Sequence, residues 1–502
     1  MDPIVIDRAP IGVGEVALVA RARRPVKLGA EALQRLASGR ALIERFLSED
    51  KPVYGLTRGL GSRAVVSVAE SERDDMSTVM LRARASGAGP RFEATAVRAF
   101  LFARLASMSQ GRAGVRPVVA ETLAAMLNAG VHPVVHEIGS SGASDMPLVA
   151  ELALPVMGEG LAEYDGTVMP GGEAMQRAGI APLQLKVKEG LGLCSANAVS
   201  AGLGALALCE ARRLLALAEA TAVLTFEAFR ANLSPIDPRV VAARPAPGQA
   251  EAAETLRGYL SGSALNDYSQ ARRLQDPISL RCASHLFGAL HAALDFTTPA
   301  VEVELNGAAD NPAVLWETGD ILSNGNFHTP ALAQAFDLLA LSLSQVASLG
   351  SQRVGRMMRK QYTDLPDTLS RYAEGTVRIG MGLLSFNARS LAKEVHLLAA
   401  PASVFDSSGY EVEDHEPMTP VAVRKFWRAL PHWRQIIACE LIVSAEAFDQ
   451  RQPKSPAPVA VALRDAVRAL VAPFDDDRSF SEDLEAIAAL VASDRLDGVI
   501  AG

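Results

Sequence analysis

The residues with chemical potential in this 502-residue chain sit in glycine-rich runs and at a few isolated polar positions. Tyr54 heads one run, residues 54–61 (YGLTRGLG). Glycine permits positive φ and close backbone approach, so such runs mark loops, often functional ones. A tyrosinate in a desolvated loop can take a weakly acidic proton, and the plain alternative is a turn tyrosine packed beside Gly55. Further glycines cluster at 139–142 and across 158–190. Arg281 offers a bidentate fork for a carboxylate, or else an ion pair between helices. His132 and His136 have the i, i+4 spacing of a metal pair, but Pro133 interrupts them and no third ligand is evident, so no metal site is expected. Cys194, Cys209, Cys282 and Cys439 are far apart with no Cys-x-x-Cys, which builds neither a disulfide framework nor a zinc knuckle and suits a reducing compartment.

The elements that must position these residues are mostly helical. Apolar residues recur at helical spacing over 198–230, 281–294, 330–358, 383–398 and 421–451, with Pro431 expected to kink or end the last. Helices this apolar must be covered on several sides, in a bundle core or a helix-mediated oligomer. The first half reads as more irregular. The expected organisation is therefore a loop-rich N-terminal part, 1–195, and a long central helical bundle with C-terminal helices, 196–502. An acidic helix start is expected from Asp475. At about 150 residues per domain the length suggests roughly three domains, and a single long helical assembly also fits.

Composition narrows the function classes. Hydrophobic residues at 49% and charged residues at 21% give ample material for a large core. Lys+Arg 49 against Asp+Glu 57 gives 49 − 57 = −8, which argues against nucleic acid as a partner. The most apolar stretch, 199–229, is broken by Glu210, Arg212 and Arg213, and the opening MDPIVIDRAP lacks the pattern of a signal peptide. A soluble, cytoplasmic protein without a membrane partner is expected.

Five segments, in order, resemble the histidine/phenylalanine/tyrosine ammonia-lyase family. They are 54–61 (YGLTRGLG), 128–160 (NAGVHPVVHEIGSSGASDMPLVAELALPVMGEG), 188–197 (KEGLGLCSAN), 275–282 (QDPISLRC), and 310–312 (DNP) with 324–328 (NGNFH). Glu413-Asp414-His415 is a further match. The resemblance covers nearly the whole chain and implies a mostly α subunit with a long helical bundle, assembled as a homotetramer with shared active sites. It implies elimination of the α-amine from an aromatic amino acid to leave a trans-acrylate. It implies Tyr54 as the base, Arg281 as the clamp on the substrate carboxylate, Asn311 and Phe327 as pocket residues, and Glu413 near the departing amine. The family's electrophile, methylidene-imidazolone (MIO), forms from an Ala-Ser-Gly run, so no diffusible cofactor and no metal are implied.

The sequence departs from the family where the chemistry is done. The family pattern Gly-Ala-Ser-Gly-Asp-Leu-Ala-Pro-Leu is shortened here to Gly142-Ala143-Ser144-Asp145-Met146-Pro147-Leu148. Ring closure needs a tight bend that glycine permits, and an aspartate in its place makes MIO formation from Ala143-Ser144-Asp145 difficult. Ser195 replaces the family's Asn, with Asn197 two residues on, and Ile278 replaces a proton-handling tyrosine. Thr57-Arg58 stands for Asn-Thr, Val412 stands for Gln, and Arg84, beside Ala83, falls where histidine-specific members have His.

A quaternary amine leaves without an electrophile, so these departures point to a branch resembling ergothionase, which releases trimethylamine from ergothioneine. There Asp145 would favour a cation, and Arg58 or Arg84 would meet a sulfur. The alternative is an ordinary MIO-dependent ammonia-lyase or aminomutase. A non-catalytic helical scaffold is disfavoured, because decay has no reason to spare Tyr54, Arg281, Asn311, Phe327 and Glu413 together.

Overall fold

The computed structural model describes residues 2–372, 377–404 and 412–500. Helices dominate. The helices used below are α1 (Arg73–Arg84), α2 (Ala94–Met108), α3 (Met146–Ala153), α4 (Glu189–Cys194), α5 (Ala198–Phe229), α6 (Ala283–Asn306), α7 (Pro330–Met357), α8 (Gly382–Leu398) and α9 (Thr419–Arg451). The five long helical periods of the second half thus become α5 to α9. Pro431 does not end α9, which runs through it. Proline removes one ladder bond, but Phe426, Ala429, Leu430 and Trp433 around it are all buried, and tertiary packing sustains the helix.

The first 195 residues carry more helix than their glycines suggest, including Ala30–Ser48, α2 and Pro117–Ala129. The reason is physical. Every residue of α2 from Ala96 to Met108 is buried, so it shows no apolar stripe against a polar face. At the other end, the acidic run from Asp475 precedes rather than starts the helix, which spans Ser481–Ala492. The Asp477 carboxylate instead accepts the N–H groups of Ile379 and Gly380.

Compact units follow contacts rather than chain order. Unit one comprises Met1–Cys209, Thr297–Phe336 and Ala402–Arg424, and unit two comprises Glu210–Phe296, Asp337–Pro401 and Lys425–Gly502. The 1–195 part is therefore joined in unit one by two later segments.

Unit one holds the short sheets: Ile4–Ile6 parallel to Val26–Leu28, Ala88–Arg91 against His136–Ile138, a three-stranded sheet ordered His132–Pro133, Leu161–Tyr164, Thr167–Pro170, and the hairpin Ala313–Leu315/Asp320–Leu322. Its helices pack closely enough to need glycine. A Cβ on Gly190 of α4 would lie 2.1 Å from the Ser77 carbonyl oxygen of α1, and one on Gly202 of α5 would lie 2.8 Å from the Ala99 backbone of α2. Glu189, fully buried, accepts from Arg116 and from the Lys186 N–H and so fixes the start of α4. Arg104 pairs with Asp310 at 2.9 Å, both buried.

Unit two is built from long helices locked by buried charge. Arg353 of α7 grips Glu440 of α9 through two bonds of 2.5 and 2.8 Å. Glu440 also accepts from Thr225 at 2.8 Å, and Glu446 accepts from Arg468 and from the Phe474 N–H.

Candidate active site

Within unit one, the chemically suggestive residues converge on a cavity of ≈ 510 Å³. Tyr54, Arg84, Ser144, Ser195, Asn311, Phe327 and Glu413 all line it.

The tyrosine loop is held by its glycines. Gly55 has φ +67°, and a Cβ there would lie 2.7 Å from Leu191 of α4, so only glycine seats the loop against that helix. The Gly61 N–H donates to the Tyr54 phenolic oxygen at 3.0 Å, which fixes the oxygen's position. Asn311 is anchored from two sides: its side-chain oxygen accepts from the Asn324 N–H at 3.0 Å and from Ser323 at 3.2 Å, and its own N–H reaches the Ser195 hydroxyl at 3.5 Å.

Phe327 and Glu413 lie on two segments tied together by His328 and His415, whose ring nitrogens are 2.9 Å apart. Burial and the neighbouring His415 push the His328 pKa down. His328 also bridges to Ala143, and the Met418 N–H donates to the Ser141 carbonyl at 2.7 Å, so both segments brace the 140–145 turn.

That turn bends at Gly142 (φ +114°) and Ser144 (φ +67°), while Asp145 has an ordinary φ of −82°. The Ser144 hydroxyl donates to the Ala196 carbonyl at 2.9 Å, and the Asp145 N–H donates to the same carbonyl at 3.1 Å. Asp145 does not line the cavity, and its side chain is 1% exposed. Its carboxylate accepts from the Ser200 N–H at 2.7 Å and the Ser200 hydroxyl at 2.9 Å, at the positive N-terminus of α5. Burial nevertheless pushes its pKa up to about 6. Nearby, Glu304 accepts from the Asn197 amide at 2.9 Å, and burial, then the Asp145 charge, raise its pKa to about 7.

Within one chain, the other residues singled out from the sequence lie outside this cavity. Asp145 faces the start of α5, not a cation in the cavity. Asn197 holds Glu304 instead of lining the cavity. Arg58 lines a separate polar cavity of ≈ 620 Å³ and donates to Ser67. Ile278, 59% exposed, lines a third cavity, in unit two. Arg281 also belongs to unit two, at the end of the helical turn Ile278–Arg281; with the Gln275 amide turned to accept, its guanidinium donates to that oxygen at 2.7 and 3.2 Å. The cavity is also lined by Ser62 and Arg63, which continue the glycine run, and by Met146 and Leu191, none of which stands out in the sequence as a site residue. Glu304 carried no signal in sequence, because it lies in the last turn of an apolar helix.

The aromatic amino acid lyase family description matches residues 11–469. This chain belongs to the aromatic amino acid lyase family. It is 37% identical to histidine ammonia-lyase of Symbiobacterium thermophilum over 97% of this chain and 96% of that protein. Among solved structures it is similar to ergothionase from Treponema denticola, an ergothioneine-degrading enzyme, with a TM-score of 0.93, 28% identity, and 99% of each chain covered. Histidine ammonia-lyase from Trypanosoma cruzi gives a TM-score of 0.92 at 25% identity, covering 100% of this chain and 95% of that one.

The chain is thus a carbon–nitrogen lyase with the long helical bundle of the ammonia-lyase fold. Aromatic amino acid lyases make their electrophile from their own backbone and need no diffusible cofactor. The residues present here do not fit that ring. The nitrogen that would close it belongs to Asp145 rather than glycine, its N–H is spent on Ala196, and its side chain is pinned to Ser200. The buried carboxylate does a structural job at α5, so the shortened segment reads as loss of the ring-closing glycine.

Proposed function

We propose that this lyase removes the α-amine of an imidazole-bearing α-amino acid, as a cytoplasmic homotetramer, to leave a trans-acrylate. The cavity carries the reading: it gathers a phenol, an anchored amide, an aromatic ring and a carboxylate around a space large enough to admit an amino acid. Tyr54 takes the β-proton, the C–H pair becomes the new double bond, and the amine departs with the C–N pair. Glu413 lies with the departing amine, and Asn311 and Phe327 position the substrate. Arg281 grips the carboxylate. It is not among the cavity's lining residues, and a tetramer with shared sites supplies it from a neighbouring copy. The exposed Leu338 and Leu341, one turn apart on α7, suit coverage by such a copy.

The leaving group has two readings, each with its own support. Whole-chain similarity favours ordinary ammonia release from histidine, or the matching aminomutase reaction: relatives at 36–37% identity are histidine ammonia-lyases, and the ergothionase is 28% identical. The segment nearest the C–N bond favours an amine that leaves unaided. Ammonia is a poor leaving group without an electrophile, whereas a trimethylammonium departs as neutral trimethylamine. We place the weight on this local geometry and on ergothioneine-type betaines.

The test is to incubate the purified enzyme with histidine and with the trimethylated betaines of histidine and 2-thiolhistidine, following the acrylate chromophore and the released amine. Trimethylamine is the expected product. Ammonia from histidine alone would defeat the betaine reading and leave the lyase reading standing, and release of neither would defeat both.

A further inference from the structure

Helix α1 carries three arginines, and two of them have partners: Arg73 pairs with Asp50 at 2.7 Å, and Arg82 pairs with Glu159 through both oxygens. Arg84, the last residue of the helix, has no carboxylate partner among the described residues, although it is only half-exposed. Its Nε donates to the Met146 thioether at 2.8 Å, and one terminal nitrogen reaches the Met80 carbonyl at 3.5 Å. A thioether is a weak acceptor, and a guanidinium has five donors in a planar fork, so most of its capacity remains unused.

Among the described residues, the walls around Arg84 supply no anionic acceptor that pairs with it. The cavity combines apolar surface from Ala83, Met146, Pro147 and Leu191, which suits a flat heteroaromatic ring, with neutral polar groups such as Ser86 and Asn311 and a second cation, Arg63; neither that hydroxyl nor that amide bonds to the Arg84 guanidinium. Among the described residues Glu413 is the one acid lining the cavity, and it makes no ion pair with Arg84. Cys194, behind the wall, has its thiol pKa pushed up to about 11 by burial, so it is neutral and offers no counter-charge. Arg84 lines the cavity and is only partly buried, so its unused donors face the space a ligand would occupy and are free to meet an acceptor that the ligand brings.

We infer that Arg84 is the receptor for an electron-rich, acidic substituent on the ring of the substrate, such as a thiolate/thione sulfur or a carboxylate, and that this enzyme selects ring-substituted imidazoles over histidine itself. The inference rests on the reading of this cavity as the substrate site, and it adds the substituent. A charge-assisted hydrogen bond to such a group discriminates by roughly tenfold to a hundredfold.

The test compares wild type, Arg84→Gln and Arg84→Lys on four compounds: histidine and 2-thiolhistidine, each as the free amine and as the trimethyl betaine. An imidazole bearing a ring carboxylate separates charge from sulfur. The wild type is expected to prefer the substituted ring in kcat/KM, Arg84→Gln to lower that preference roughly tenfold or more, and Arg84→Lys to restore part of it. An equal loss across all compounds would overturn the inference, because it would make Arg84 a clamp for the α-carboxylate or a structural residue. Calorimetric binding of the two product acrylates, imidazole and 2-thioimidazole, needs no turnover. If the thio-acrylate is preferred and Arg84→Gln abolishes the preference while no compound turns over, the lyase reading fails and the Arg84 assignment stands. Equal binding of both acrylates, or binding of neither, overturns the assignment.

Discussion

Replacing Asp145 with asparagine probes the charge buried under the reaction segment. The Asp145 carboxylate has a pKa near 6 against an ordinary 3.8, chiefly because burial penalises the ionised form more than the Ser200 bonds favour it. The folded state therefore holds this proton more tightly than the unfolded chain. Between about pH 4 and pH 6 the folded protein binds more protons than the unfolded one, so stability falls as pH rises through that window and levels off above it. A gap of about two units corresponds to roughly 3 kcal/mol.

Asparagine mimics the neutral acid, keeps an acceptor for the Ser200 N–H and removes the charge. At about 2.1 cal/mol/K per residue, the unfolding entropy of 502 residues is roughly 1 kcal/mol/K, so the effect is about 3 °C in Tm. Scanning calorimetry from pH 4 to 8 should show Asp145→Asn melting higher than wild type at pH 8, with the gap closing toward pH 4. Glu304 titrates near 7 and interacts with Asp145, so the two protons leave as a pair and the gap extends toward pH 7. A gap independent of pH, or a wild type that gains on the variant as pH rises, would refute the reasoning: the start of α5 would then favour the charged form outright.

Three other perturbations follow from the same structure. Tyr54→Phe removes the proposed base and should lower kcat by roughly 10²–10⁴-fold with an unchanged circular dichroism spectrum; normal turnover would remove Tyr54 from the mechanism. Arg281→Gln should raise KM for every α-amino acid or betaine alike, unlike the selective effect of Arg84→Gln, and steady-state kinetics on two substrates separates them. Asp310→Ala leaves the fully buried Arg104 without its partner and should destabilise the fold by about 3–5 kcal/mol in chemical denaturation, whereas a loss under 1 kcal/mol would show that the pair is dispensable.

Much of the fold was legible because the long helices of the second half carry apolar residues at helical spacing. What stayed hidden was hidden for stated reasons. Helix α2 is buried all round and has no polar face to reveal its period. Pro431 reads as a breaker, yet its neighbours are buried and α9 continues past it. In the site, the glycine loops announced Tyr54 and the 140–145 turn, since few other residues permit such close approach. Side-chain direction was not legible: the charge of Asp145 and of Arg58 was plain from sequence, but only the structure turns the first onto Ser200 and the second toward Ser67. Arg84 is the reverse case, a charge whose significance lies in having no carboxylate partner among the described residues.

The most direct test of the central claim, that the Ala143-Ser144-Asp145 segment stays open, is the intact mass of the purified protein together with the mass of its proteolytic peptide over residues 143–145. The full unmodified mass is expected in both. A deficit of two waters in that peptide would show that the ring closes despite Asp145, and the enzyme would then belong with the ordinary ammonia-lyases.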